Sequence, residues 1–129
     1  MTNILIVDDS ATIRRMVRAS LASMHQSSFV EASSGLEAIE RLALVDVHLM
    51  VLDLNMPDMH GLEVLAFVRG QQKYAGLPIL VLTTRGDDPS REAALKAGAS
   101  AFMTKPFAAP AIMAKVEALL AAHPAPGGQ

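Results

Sequence analysis

Three short runs in this 129-residue chain carry only apolar side chains: Ile4-Leu5-Ile6-Val7, Leu49-Met50-Val51-Leu52 and Ile79-Leu80-Val81-Leu82. A strand with one solvated face alternates polar with apolar residues. A strand buried on both faces does not, and such strands belong to parallel sheets covered by helices on each side. Two weaker candidates, Phe29-Val30 and Ala101-Phe102-Met103, complete a set of five strands.

The intervening segments read as helices. Ser34 followed by Glu37 has the form of a capping box. Asp88-Pro89 reads as an N-cap followed by proline at the first helical position, and Gly98 as the stop of that helix. Pro110 opens the last helix, in which Ile112, Val116, Leu119 and Leu120 form one apolar stripe. Ile13, Met16, Val17 and Leu21 do the same in the first helix, and Leu62, Leu65, Ala66 and Arg69 less cleanly in the third. Regular alternation predicts a doubly wound α/β fold with a five-stranded parallel sheet and five helices. The expected boundaries are a domain over residues 1–122 and a flexible tail over 123–129.

Composition removes several classes of function. Hydrophobic residues make up 51% and charged residues 19%, a globular balance. A formal net charge of −2 favours neither nucleic acid nor an anionic membrane. The absence of cysteine excludes disulfides, thiol nucleophiles and thiolate metal sites. Met1-Thr2-Asn3 offers no basic start to a signal peptide, and no apolar stretch approaches the roughly 18 residues of a membrane span. The expectation is a soluble, cytoplasmic domain.

In open parallel sheets, ligands bind beyond the carboxyl ends of the strands. The first run ends in Asp8-Asp9, the third in Asp53, the fourth in Thr83, and the fifth, after Thr104, in Lys105. Any one of these alone is ordinary, since Asp and Thr commonly cap turns and a lone Lys is commonly a solvated surface group. Four strand ends bearing complementary chemistry are not. Three neighbouring carboxylates call for a cation, and all-oxygen ligation suits a hard ion such as Mg²⁺. With a lysine and a hydroxyl the same edge can hold a phosphoryl group. An aspartate can itself be the nucleophile, giving an acyl phosphate. The chemistry this edge supports is phosphoryl transfer to aspartate.

These residues resemble the receiver family of response regulators, over nearly the whole chain. The resemblance rests on Asp8-Asp9, Asp53-Leu54-Asn55-Met56-Pro57 with Gly61, Thr83, Ala97-Gly98-Ala99 and Lys105-Pro106-Phe107. The stretch Asp8-Asp9-Ser10 through Thr12-Ile13-Arg14-Arg15-Met16-Val17-Arg18 is particularly similar to single-domain chemotaxis regulators. The resemblance implies a flavodoxin-like strand order, 2-1-3-4-5. It implies Asp53 as phosphoacceptor from a sensor histidine kinase, and Asp9 and Asp53 as direct Mg²⁺ ligands. Asp8 would act mainly through water, and Asn55 would supply a backbone carbonyl to the metal. Lys105 and Thr83 would engage the phosphoryl oxygens. Phe102 would turn inward when Thr83 moves, and Pro106 would follow a cis peptide. Output would be a downstream protein bound on the face of the fourth helix, fifth strand and fifth helix, with no catalysis beyond the domain's own phosphorylation and dephosphorylation.

The departures from the family are local. His60 replaces an Asp common before the glycine and is expected to face solvent. Phe102 replaces a tyrosine common in chemotaxis receivers. Thr84 is bulkier than the Ala or Gly often found there and would narrow access to the phosphoryl group. Arg85 either reaches over the site or is a solvated surface group. A haloacid-dehalogenase-like phosphatase needs a second Asp where Asn55 stands, and a flavin phosphate would meet acidic Asp8-Asp9 instead of donors. A docking receiver that is never phosphorylated and a phosphorelay intermediate stay open beside chemotaxis. No room for an output domain is expected after the last helix near Leu120.

Overall fold

Strand and helix alternate along residues 1–84 and 86–123, which the computed structural model describes. The elements are β1 (Thr2–Val7), α1 (Ala11–Leu21), β2 (Ser27–Ala32), α2 (Gly35–Leu44) and β3 (Leu49–Leu52). There follow α3 (Gly61–Arg69), a 3₁₀ turn (Gln72–Tyr74), β4 (Ile79–Thr83), α4 (Asp88–Lys96), β5 (Ala101–Thr104) and α5 (Ala109–Ala122). The five strands form one sheet in the order β2-β1-β3-β4-β5. Every pairing is parallel. This is the doubly wound, flavodoxin-like arrangement expected. The tail expected from residue 123 falls almost wholly outside the described residues, although His123 itself ends α5 by donating its N–H to the carbonyls of Leu119 and Leu120.

The all-apolar runs are buried on both faces, as their lack of alternation requires. Leu5, Val7, Met50, Leu52, Ile79 and Val81 pack toward α2, α3 and α4. Ile4, Ile6, Leu49, Val51, Leu80 and Leu82 pack toward Val17 and Leu21 of α1 and Ile112 and Val116 of α5. The outer strand β2 is half-buried over most of its length, which is why its run is the weakest in the sequence.

Helix ends agree with the sequence in kind and differ in detail. The hydroxyl of Ser34 accepts from the Glu37 N–H, but the Glu37 carboxylate accepts from the N–H of Ser33 rather than of Ser34. The cap of α4 is Asp87, one residue before the Asp88 expected, and it accepts from the Ser90 N–H. Proline is tolerated anywhere in the first turn, where its missing N–H has no partner to lose. In α3 the buried stripe is Val64, Leu65 and Val68; of the residues expected there only Leu65 is fully buried, while Leu62, Ala66 and Arg69 are not. Met16, assigned to the stripe of α1, is 44% exposed.

Arg69 leaves the helix surface to clamp two connections, the one before β4 and the one before β5. It donates to the Gly98 carbonyl at 2.9 Å, the Tyr74 carbonyl at 2.9 Å and the Ser100 hydroxyl at 3.3 Å. Gly98 is required here twice over, because its φ is +116° and an added Cβ would lie 2.6 Å from the Arg69 Cγ. Gly98→Ala is therefore expected to cost about 1–3 kcal/mol of folding stability, read as a lower denaturant midpoint.

Candidate functional site

The hydrogen-bond ladder of the sheet runs one residue beyond the apolar runs and carries the polar residues with it. The Asp8 N–H donates to the Ala32 carbonyl, the Asp53 N–H to Val7 and the Lys105 N–H to Thr83. The side chains of Asp8, Asp9 and Asp53 consequently converge, with a carboxylate oxygen of each within 4.8 Å of the others. Asp8 and Asp53 are 3% and 4% exposed, while Asp9 is exposed at the rim.

Lys105 reaches into this cluster from the far end of the chain. Its Nζ lies 2.6 Å from Asp8 Oδ2 and 3.4 Å from Asp53 Oδ1. The Lys105-Pro106 peptide is cis, as the resemblance implied. The Asn55 amide donates to the hydroxyl of Thr83, a fully buried residue, over 3.4 Å. Thr84 is exposed beside it, and Arg85 falls outside the described residues. Phe102 is half-buried and pairs in register with Val81, packing toward α2, α3 and α4.

Electrostatics at the site are opposed. Burial, then the Asp8 carboxylate, push the Asp53 carboxyl above its ordinary pKa, against the downward pull of Lys105 and of the Asn55 N–H. A carboxylate held in this way gains from any cation that enters. The group can bind a hard divalent ion and present one buried carboxylate oxygen as a nucleophile.

Several supporting contacts were not legible in the sequence. Ser10 caps α1 through the Ile13 N–H, and its own N–H donates to Asp8 Oδ1 at 2.9 Å. Gly61 closes against the segment that follows β3, donating its N–H to the Leu54 carbonyl, and an added Cβ would stand 2.5 Å from the Asp53 carbonyl oxygen. Asp58 accepts from the N–H groups of Gly35 and Leu36, tying the loop after β3 to the start of α2. His60 is exposed as expected, yet its Nδ1 also caps α3 by accepting from the Leu62 N–H, while the Glu63 carboxylate accepts from the His60 N–H. Histidine is not among the residues usually read as caps, so no signal marked it.

The family model of the response regulator receiver domain matches residues 4–117. This chain belongs to that family. Receivers signal by phosphorylation and bind Mg²⁺ at an acidic pocket. The chain is 38% identical to a chemotaxis protein CheY homolog of Campylobacter jejuni, over 91% of each chain. The structure of chemotaxis protein CheY4 of Vibrio cholerae superposes with a TM-score of 0.86 at 32% identity, covering 93% of this chain and 99% of that one. The signal receiver domain of a histidine kinase from Syntrophus aciditrophicus gives 0.88 at 28% identity, covering 98% and 95%.

A carboxyl whose pKa is raised on folding adds stability at low pH, and that contribution is lost as pH rises through the carboxylate range. Asp53→Asn removes the disfavoured charge from this receiver. In chelator it is expected to raise the urea midpoint near neutral pH, with a gain that shrinks as pH falls into the acid range. Unfolding both chains at the two pH values checks this.

Proposed function

We propose that this receiver accepts a phosphoryl group on Asp53 from the phosphohistidine of a sensor kinase and signals through an altered protein-binding surface. The observation that carries this reading is Lys105 Nζ set against both Asp8 and Asp53 within a three-carboxylate cluster. In the transfer, an Asp53 carboxylate oxygen bonds to phosphorus as the phosphorus–nitrogen bond to the donor imidazole breaks. Asp9 and Asp53, the Asn55 backbone carbonyl and, through water, Asp8 would hold Mg²⁺, which when bound offsets the charge of the transferring group. Lys105 would leave Asp8 to pair with one phosphoryl oxygen, and the Thr83 hydroxyl would exchange the Asn55 amide for another.

The phosphoryl group adds roughly −1.5 to −2 charge and three strong acceptors. Drawing Thr83 and Lys105 toward it moves the ends of β4 and β5 and lets Phe102 turn inward. The surface that changes is a groove of about 720 Å³ between α4 and α5, lined by Phe102, Phe107, Arg91 and Lys115. Its occupant would be a downstream protein. Chemotaxis is the preferred setting because the relatives named above are chemotaxis proteins, and a cytoplasmic location goes with it. No helix among the described residues is long and apolar enough to cross a membrane. The histidine kinase receiver neighbour supports a second reading, a phosphorelay intermediate. Onward transfer to a histidine phosphotransfer protein would separate it from the first.

Intact mass after incubation with a small phosphodonor is expected to rise by one phosphoryl group, only with Mg²⁺ and not in Asp53→Asn. No gain under any condition would leave a docking module that is never phosphorylated. Thr84→Ala, which trims an exposed side chain next to Thr83, is expected to speed loss of the phosphoryl group severalfold, measured as decay of the phosphorylated mass.

A further inference from the structure

We infer that Arg14 is a positioning residue for the metal site, holding the main chain from which Asp8 and Asp9 project. The inference rests on the reading of that site as a Mg²⁺ centre. Arg14 lies on the first turn of α1, and its side chain is only 16% exposed. One guanidinium nitrogen donates to the backbone carbonyl of Asp8 at 2.6 Å, while Nε donates to Glu31 Oε1 at 2.9 Å. Glu31 stands on β2 opposite Ile6 and is gripped again by Arg18, whose NH1 lies 3.0 Å from Oε2. Arg18 itself sits over the Phe29 ring, 5.8 Å from its centroid. The Arg14 hydrogen bond, reinforced by Arg18 and set against the effect of burial, holds the Glu31 carboxyl below its ordinary pKa.

The geometry gives this unit a specific task. Beyond Asp8 the chain leaves the sheet, so its last ladder bond is the Asp8 N–H to Ala32. Three like charges then push on the segment that bears two of them. Arg14 fastens the other side of the Asp8 peptide, and Ser10 fastens its carboxylate through Oδ1. The planar guanidinium can meet the carbonyl and the carboxylate at once, which a lysine ammonium on a flexible stem does poorly. Because Glu31 offsets the charge of Arg14, the pair acts by fixing geometry rather than by adding positive potential.

Isothermal titration with MgCl₂ tests this on the whole chain, comparing wild type with Arg14→Ala, Arg14→Lys and Glu31→Gln. Groups that orient metal ligands typically contribute about 10–100-fold in affinity. Arg14→Ala is expected to weaken Mg²⁺ binding by about tenfold, at the lower end of that range. Arg14→Lys should recover only part of the loss, and Glu31→Gln, which keeps an acceptor for Arg14, should show a smaller loss. A merely structural role would lower the melting temperature of these variants and leave the Mg²⁺ dissociation constant unmoved, which overturns the inference. If Arg14→Ala does not fold, unchanged Mg²⁺ affinity in both Arg14→Lys and Glu31→Gln overturns it equally. Failure of the wild type to bind Mg²⁺ overturns the reading of the site, and this inference with it.

Discussion

A parallel ladder sets the ends of neighbouring strands side by side, however far apart they lie in the chain. In this receiver the final rungs belong to the site residues themselves: Asp8 to Ala32, Asp53 to Val7 and Lys105 to Thr83. The carboxylates cannot drift apart without breaking bonds that also close the core. Two like charges 4–5 Å apart cost on the order of 3–4 kcal/mol at an effective dielectric near 20. Each buried aliphatic side chain returns about 1.5–3 kcal/mol on folding, and β1, β3 and β4 bury such side chains on both faces. The apolar runs therefore hold the acidic cluster together against its own repulsion.

Lys105 completes that arrangement. It comes from the last strand and ion-pairs with the end of the first, 97 residues earlier. A cation supplied by the fold occupies the space between two buried carboxylates. In the proposed transfer the same ammonium would turn to the incoming phosphoryl group, because its partners are carboxylates that a metal would also satisfy. The group that neutralises the resting site is thus the one that would pair with the phosphoryl group on Asp53.

How much could be read in advance depended on whether a residue acts through its type or through its contacts. The three apolar runs and their polar ends named the sheet and the carboxylate–lysine set, because burial on both faces and charge at a strand end leave a one-dimensional pattern. Strand β2 was faint because an outer strand need not be apolar throughout. The cap of α4 was displaced by one residue because Asp87 and Asp88 are chemically equivalent and only hydrogen bonding distinguishes them. The capping role of His60 and the tie made by Asp58 left no mark, since they lie in the backbone N–H of Leu62 and in those of Gly35 and Leu36. Arg14 was read only as part of a motif, because its partner Glu31 lies on β2, 17 residues away. The strand order itself came from resemblance, for no local pattern specifies which strands are neighbours.

The Arg69 clamp has a mechanical meaning. Its bonds to Gly98 and Ser100, with those of Ser100 to Ile79, lie at the approach to β5 and the start of β4. Thr83 and Lys105 lie where the same strands finish. The pair is thus anchored at one end by backbone and side-chain bonds, while its other end carries the hydroxyl and the ammonium of the site. In the proposed transfer a pull at the site ends would meet strands anchored at their starts. It would emerge as rotation near the site, where Phe102 stands in register with Val81.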